Sequence, residues 1–176
     1  HDPGAVLLEV RALSATPANP FGTALRDIAF LVREGEVLGI GGVAGNGQDE
    51  LLAALSGETR VAPDAIMFKQ QGIGALGPNA RRALGLLCAP EERLGHAAAP
   101  EMSLTENALL TGRLRQGLDR HGFVDWARTR AFANRIISRF DVRTPGPWVA
   151  ARALSGGNLQ KFVIGREILQ EPMVLV

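Results

Sequence analysis

Short apolar runs separated by turn residues mark the first half of the chain. The runs at 6–10 and 25–32 are typical of strands, and Gly35 lies in a tight turn after the second run. Two such strands suggest a small antiparallel sheet beside a parallel core. Further elements are predicted as a strand at 65–68, a short helix at 79–84 and a buried strand at 85–89.

A glycine-rich segment joins an apolar run to a helix-forming run. The apolar run at 37–40 predicts a strand, and residues 50–55 predict a helix that Gly57 stops. Between them, Gly42, Gly45 and Gly47 allow the backbone to make tight or left-handed turns. Backbone N–H groups and the positive end of the helix dipole would then meet at one point. The segment therefore predicts a loop that binds phosphate.

Three residues at the start of that helix do not fit a working phosphate loop, which would carry Lys and then Ser or Thr. Gln48 is neutral, and Asp49 and Glu50 are acidic. The interaction energy of two unit charges 4 Å apart is about 4 kcal/mol at an effective dielectric constant of 20. We therefore expect this loop to bind phosphate weakly, unless Mg²⁺ bridges Asp49 to it. Favourable acids in the first turn of a helix are the alternative explanation for both carboxylates.

Helical patterns replace strand patterns between residues 96 and 143. Ser103 and Glu106 have the spacing of a capping box at the start of one helix. A second helix is predicted at 125–140, with Phe132 on its apolar face. Because no strand pattern occurs there, we expect a helical subdomain inserted into an α/β core.

A serine followed by two glycines is the most specific stretch of the chain. Ser155 can cap a helix that runs to Glu171, where Pro172 blocks its continuation. Gly156 and Gly157 leave the helix start without side chains, so a phosphate could approach Ser155 Oγ and the backbone amides. An ordinary helix cap is the alternative.

Composition narrows the possible classes of function. The net charge of +1 gives no field that would favour nucleic acid. The single cysteine, Cys88, excludes an internal disulfide. No apolar run approaches the roughly 18 residues of a membrane span. The chain stops inside a predicted buried strand at 173–176, so we expect a fragment of a longer protein.

Residues 154–161, LSGGNLQK, resemble the LSGGxxQ signature of ABC-transporter ATPase subunits, and their Asn and Lys resemble the variant of simple-sugar and nucleoside importers. Residues 42–48 look like the Walker A loop of the second, C-terminal nucleotide-binding domain of these tandem subunits. Residues 90–93 are similar to its PEDR segment, and residues 171–176 to the approach to its Walker B strand.

The resemblance implies a fold as well. It implies an α/β P-loop NTPase core with a small antiparallel β part and an inserted helical subdomain, truncated at the Walker B strand. The implied boundaries are a nucleotide-binding core at 1–92, a helical subdomain at 93–147, and the signature helix with the start of the Walker B strand at 148–176.

The resemblance also assigns site residues. Gln48 stands at the Walker A lysine, Asp49 at the Mg²⁺-binding Ser or Thr, and Glu91 at the Q-loop glutamine. Asp49 and Glu91 are the candidate metal ligands, and Phe21 is the candidate for stacking on adenine. The degenerate Walker A loop would consist of Gly42, Gly45, Asn46, Gly47, Gln48, Asp49 and Glu50. The signature would contact ATP bound to a partner domain through Leu154, Ser155, Gly156, Gly157, Asn158 and Gln160.

The function implied is that of an ATP-binding domain of an importer, which couples ATP binding and hydrolysis to uptake of a simple sugar or nucleoside. ATP and Mg²⁺ are the implied cofactors, and their binding at this domain is expected to be weak or indirect. The implied partners are a second nucleotide-binding domain in the same full-length chain, membrane permease subunits and, indirectly, a solute-binding protein, but no nucleic acid. The implied location is peripheral, at the cytoplasmic face of a bacterial inner membrane.

No catalytic residue is assigned within the chain, because the Walker B acid, the catalytic Glu and the switch His would follow Val176. The chain alone is therefore not expected to hydrolyse ATP. A silent nucleotide-binding scaffold is the first alternative. The second is a dinucleotide-binding protein, since Gly39, Gly41 and Ala44 fit the G-x-G-x-x-A spacing, although that spacing alone is weak.

Overall fold

The computed structural model describes residues 4–17 and 19–176. The chain forms two compact units, one of residues up to Leu87 together with Val176, and one of residues 88–175. Among the described residues, no helix combines the length and apolar character needed to cross a membrane.

An antiparallel sheet frames the first unit. Its four strands are β1 (Val6–Ala15), β2 (Leu25–Arg33), β3 (Ile66–Phe68) and β4 (Gln71–Gly72), in the order β2-β1-β3-β4. Val10 of the central strand β1 is opposite Phe30 on one side and Ile66 on the other. The predicted small antiparallel sheet is confirmed, and β1 continues beyond its predicted end at residue 10.

The apolar run before the glycine loop is not a strand, so that prediction is wrong. Residues 36–43 have no regular secondary structure, and Val37 and Ile40 are 96% and 54% exposed. A strand needs a neighbour that pairs its backbone N–H and C=O groups. The four strands of the sheet in the described part of this unit all come from other segments.

Helix α1 (Gln48–Ser56) follows the glycine loop and ends at Gly57, as predicted. The next helix, α2 (Pro78–Leu84), carries Arg81, which is 1% exposed. Its guanidinium donates hydrogen bonds to carbonyl oxygens in the last turn of α1, including that of Leu55 at 2.9 Å. Because the last carbonyls of a helix have no partner within it, this arginine fixes the far end of α1. A short strand, β5 (Leu86–Leu87), then completes the unit.

Three helices build the second unit. They are α3 (Leu104–Gln116), α4 (Trp126–Arg139) and α5 (Gly156–Ile168). The predicted capping box is confirmed, because Ser103 Oγ accepts from Glu106 N at 3.1 Å and Glu106 Oε2 accepts from Ser103 N at 2.7 Å. The helices share one apolar core, which includes Leu104, Ala108, Phe132, Ala133, Ile136, Leu159, Phe162 and Val163.

Two details of this unit differ from the prediction. A small hairpin of β6 (Asp119–Arg120) and β7 (Phe123–Val124) interrupts the predicted all-helical region, with positive φ at both turn residues, His121 and Gly122. Such a two-residue turn suits the twist of a hairpin. Helix α5 ends at Ile168 and not at Glu171, and Glu171, the residue before Pro172, has a φ of 54° outside the right-handed helical region. The strand β8 (Val174–Leu175) follows.

Candidate functional site

The glycine loop of the first unit contains two glycines with a left-handed backbone conformation. Gly45 has a φ of 86° and Gly47 a φ of 102°, and Gly47 occupies the N-cap position of α1 without a side-chain cap. The loop therefore has the predicted glycine turn directly before a helix, although the strand expected on its other side is missing.

The side chain of Gln48 folds back into this loop. Its Nε2 donates to the carbonyl of Val43 at 2.9 Å, and its Oε1 accepts from the backbone N–H of Asn46 at 3.1 Å. A Cβ placed on Gly42 would lie 2.5 Å from Gln48 Nε2. The side-chain amide of Gln48 therefore lies against Gly42, in the space that is free because glycine has no Cβ. Its nitrogen and its oxygen each form a hydrogen bond with the loop backbone.

The two acids after Gln48 have different surroundings. Glu50 Oε1 accepts from the backbone N–H of Thr23 at 2.8 Å, and Thr23 Oγ1 donates to the carbonyl of Gly45 at 2.8 Å. Glu50 thus helps to hold the glycine loop to the segment before β2. Asp49 is exposed in the first turn of α1. Both carboxylates also place negative charge at the helix end that attracts anions.

The start of α5 in the second unit is open to solvent. Ser155 caps the helix, and Ser155, Gly156 and Gly157 are all exposed. The first turn of α5 contains no acidic residue. The positive end of this helix dipole therefore faces solvent without a carboxylate in that turn, as the phosphate prediction requires.

Asn158 connects the Ser155 hydroxyl to the chain that follows α4. Its Nδ2 donates to Ser155 Oγ at 2.9 Å, and its Oδ1 accepts from the backbone N–H of Arg143 at 2.9 Å. The backbone N–H of Asn158 also donates to Ser155 Oγ, at 3.4 Å. In both bonds between Asn158 and Ser155, the serine oxygen is the acceptor. The Ser155 hydroxyl proton can therefore still be donated to a ligand.

The other signature residues surround this helix start. A Cβ on Gly156 would lie 2.6 Å from Arg93 Nη1, whereas a Cβ on Gly157 would meet open space. Leu154 is half-buried and packs against the apolar core of the unit, and Gln160 is exposed. The arrangement places one guanidinium beside the bare helix start.

The remaining predicted site residues lie on the surface. Phe21 is 95% exposed in the first unit, and Glu91 is exposed in the second. Clusters of three or more His, Cys, Asp or Glu side chains that could hold a metal ion do not occur in residues 4–17 and 19–176. The assignment of Asp49 and Glu91 as metal ligands stays a prediction.

Three residues with contacts at these sites were not predicted from the sequence. Thr23 bonds to the glycine loop, Arg93 lies beside Gly156, and the backbone of Arg143 holds Asn158. Each lies outside the motif that it contacts. Spacing within a motif gives no signal for contacts that come from a distant segment of the chain.

Comparison with protein families gives a match over most of the chain. The sequence model described as ABC transporter matches residues 25–176. This range includes the glycine loop, the helices of the second unit and the serine–diglycine helix start.

Individual relatives agree with that match. The chain is 33% identical over 174 residues to the nucleoside import ATP-binding protein NupA of Lactococcus lactis, which covers 99% of the chain and 34% of the relative. It is 35% identical over 175 residues to the ribose import ATP-binding protein RbsA 1 of Rubrobacter xylanophilus, with the same two coverages. The chain therefore spans about a third of the length of these relatives.

Solved structures show a similar fold. A dimeric ATP-binding cassette in a post-hydrolysis state with ADP and Pi matches 96% of the chain with a TM-score of 0.74 at 15% identity, over 72% of its own length. A nucleotide-free cassette from an ABC transporter matches 97% of the chain with a TM-score of 0.70 at 17% identity, over 67% of its length.

Proposed function

Because the chain belongs to the ABC transporter family, we propose that it is an ATP-binding domain of an importer for a simple sugar or a nucleoside. Its fold is the P-loop NTPase fold of the ABC ATPases, with an antiparallel sheet and a helical part. In this proposal, the Ser155 helix start binds the terminal phosphate of an ATP held by the Walker A loop of a second domain. The glycine loop of this chain forms a degenerate site.

The geometry of Ser155 is the observation that carries the proposal. An exposed helix start without acids favours an anion. The serine oxygen accepts hydrogen bonds from Asn158 and keeps its proton for a phosphate oxygen. Hydrogen bonds to a charged group are among the strong ones in proteins. The glycine loop has the opposite character, with two acids in the first turn of its helix.

Coverage and the names of the relatives support the larger assembly. The two relatives named above are described as import ATP-binding proteins, for a nucleoside and for ribose, and the chain spans about a third of each. We place the chain in a tandem subunit, where the second nucleotide-binding domain is part of the same polypeptide. Permease subunits, and through them a solute-binding protein, complete the importer at the cytoplasmic face of the inner membrane. ATP and Mg²⁺ are its cofactors.

Loss of the Ser155 hydroxyl tests this function. In the full-length subunit, we expect Ser155→Ala to lower ATP turnover by about tenfold or more, because a hydrogen bond to a charged group contributes about 1.5–3 kcal/mol. Ser103→Ala is the matched control, since Ser103 also caps a helix through its hydroxyl but lies at α3. Equal turnover in the two variants would exclude a phosphate contact at Ser155.

A scaffold without turnover is the second candidate function, and Gln48 favours it. The Gln48 amide bonds to the loop backbone at Val43 and Asn46, where a working loop would offer its groups to phosphate. ATP turnover by the full-length subunit, measured with and without Mg²⁺, separates the two candidates. A domain that completes the site of its partner predicts Mg²⁺-dependent turnover that Ser155→Ala lowers. A scaffold predicts turnover that Ser155→Ala leaves unchanged.

A further inference from the structure

We propose that Gln48 determines the ligand preference of the glycine loop by occupying the loop itself, so that its side-chain amide excludes phosphate by position and not by charge. The inference rests on the proposed function, in which this loop belongs to the degenerate site. It adds the physical cause of that degeneracy and assigns it to one side chain.

The first support is that both polar ends of the amide are bonded to the loop. Gln48 Nε2 donates to Val43 O at 2.9 Å, and Gln48 Oε1 accepts from Asn46 N at 3.1 Å. An incoming phosphate oxygen would compete with Gln48 Oε1 for the Asn46 N–H. It would also displace Gln48 Nε2 from the Val43 carbonyl, which accepts a second hydrogen bond from Asn46 N at 3.2 Å.

The second support is steric. The amide lies so close to Gly42 that even one added carbon there would be 2.5 Å from Gln48 Nε2. A phosphate group is larger than one carbon, so it cannot share this space with the amide. The side chain must leave the loop before phosphate enters, and both hydrogen bonds are lost when it leaves.

The charge of the neighbouring acids does not give the same explanation. Asp49 is exposed, so water and salt screen its effect on an anion. Glu50 accepts from the Thr23 N–H at 2.8 Å and keeps its negative charge, so its repulsion is the same in the Gln48 and Asp49 variants and does not affect their comparison. Gln48 is uncharged, and exclusion by its amide does not depend on ionic strength. The two explanations therefore predict different results when each side chain is shortened or neutralised alone.

The experiment measures binding of inorganic pyrophosphate to the 176-residue chain, through the backbone amide NMR signals of Gly45 and Gly47. Pyrophosphate has no adenine ring, and these signals report on the loop alone. We expect Gln48→Ala to bind pyrophosphate about tenfold more tightly than the unchanged chain, which corresponds to about 1.4 kcal/mol. Asp49→Asn is the matched control, because it removes a charge and leaves the Gln48 amide in place, and we expect a smaller gain.

A second variant keeps the test decisive if Gln48→Ala does not fold. Gln48→Asn retains an amide, but its side chain is one methylene shorter and cannot hold both loop contacts. We expect it also to bind pyrophosphate more tightly than the unchanged chain. For Gln48→Ala or Gln48→Asn, the gain over the unchanged chain should be the same at low and high salt, whereas any gain from Asp49→Asn should shrink as salt screens the charge.

Two results would overturn the inference. One is an unchanged affinity in the folded Gln48 variant, and the other is a gain from Asp49→Asn that equals or exceeds the gain from Gln48→Ala. Neither result bears on Ser155, because the measurement is made at the loop without a second domain. A loss of turnover in Ser155→Ala together with unchanged pyrophosphate binding in Gln48→Ala would refute this inference alone.

Discussion

Helices α1 and α5 both begin beside glycines, and their first turns are built in opposite ways. Helix α1 starts behind Gly47 with no side-chain cap, and Asp49 and Glu50 lie in its first turn. Helix α5 is capped by the Ser155 hydroxyl, and its first turn has no acid. Glycine and a helix dipole are common to both. The side chains around them therefore decide which start can accept an anion.

Side chains that fold back make the difference between the two sites. At the glycine loop, Gln48 and Glu50 bond to backbone groups of the loop and of its neighbouring segment. At the α5 start, Asn158 bonds to Ser155 and to Arg143 without covering Gly157. The first arrangement stabilises the loop as it is, and the second holds a serine in place with its proton available. Glycines beside a helix start thus accompany a structural role in one unit and the proposed binding role in the other.

The largest predicted effects concern the buried arginines that anchor the two helices. Arg81 bonds to the end of α1, and Arg166 of α5 bonds to the buried Glu167 at 2.9 Å. Arg166→Leu should lower the free energy of unfolding by about 3 kcal/mol or more, because the buried Glu167 carboxylate loses its cationic partner, although Thr111 Oγ1 still donates to it at 2.9 Å. Arg81→Leu should have an effect of similar size, since several carbonyls lose their donor. Urea denaturation measures both.

Arg130→Leu serves as the control for these two variants, because Arg130 is exposed on α4. We expect its effect to stay within about 0.5 kcal/mol. A loss of stability as large as that of Arg81→Leu would show that removal of any arginine destabilises the chain. It would contradict a specific anchoring role for Arg81 and Arg166.

Asn158→Ala tests whether the serine must be held in place. In the full-length subunit, turnover should fall about fivefold, which corresponds to about 1 kcal/mol and to one ordinary hydrogen bond. Lys161→Ala is the matched control, since Lys161 also ties α5 to the chain after α4, through the Asp141 carbonyl at 3.0 Å, but does not touch Ser155. If both variants lose turnover equally, Asn158 acts only by attaching the helix.

Thr23→Val tests the attachment of the glycine loop. The change removes the hydrogen bond from Thr23 Oγ1 to Gly45 O and should lower the free energy of unfolding by about 1 kcal/mol. Thr59→Val is the comparison variant, because Thr59 is exposed. Thermal unfolding of both variants gives the difference. An equal change in both would mean that Thr23 does not hold the loop.

The smallest predicted effect is a dependence on pH at a third helix start, α3. Hydrogen bonds from the Ser103 backbone N–H and hydroxyl lower the pKa of the Glu106 carboxyl below its ordinary value. The folded pKa is the lower one, so this stabilisation is complete above the unfolded pKa and disappears as the pH falls through the folded pKa. The free energy of unfolding of Glu106→Gln should depend less on pH in the acid range. An unchanged dependence in that variant would contradict the assignment.

Local rules predicted several helix boundaries correctly, although they placed the end of α5 at Glu171 and not at Ile168. Gly57 ends α1, and the Ser103–Glu106 box starts α3, because these signals depend on residues within one turn. The run at 37–40 failed for the opposite reason. Its apolar residues fit a strand, but a strand needs a partner segment, and sequence spacing does not supply one. The hairpin at 119–124 was missed because each of its strands is only two residues long.

At the candidate site, too, the sequence predicted local signals and missed contacts that depend on the path of the chain. The signature pattern identified Ser155 and its glycines from the sequence alone, and the structure places them at an exposed helix start. The sequence suggested weak phosphate binding at Gln48 from charge. It could not show that the amide folds back onto Val43 and Asn46, because that contact depends on the path of the loop.

Photocleavage of the full-length subunit with trapped nucleotide tests the central claim most directly. Vanadate held with ADP in place of the terminal phosphate cuts the backbone nearest to it under ultraviolet light, and mass spectrometry locates the cut. We predict a cut at Ser155 and none within residues 42–48 of this chain. Cleavage within 42–48 with Ser155 intact would contradict the account, since it would place the phosphate in the glycine loop and not at the α5 helix start.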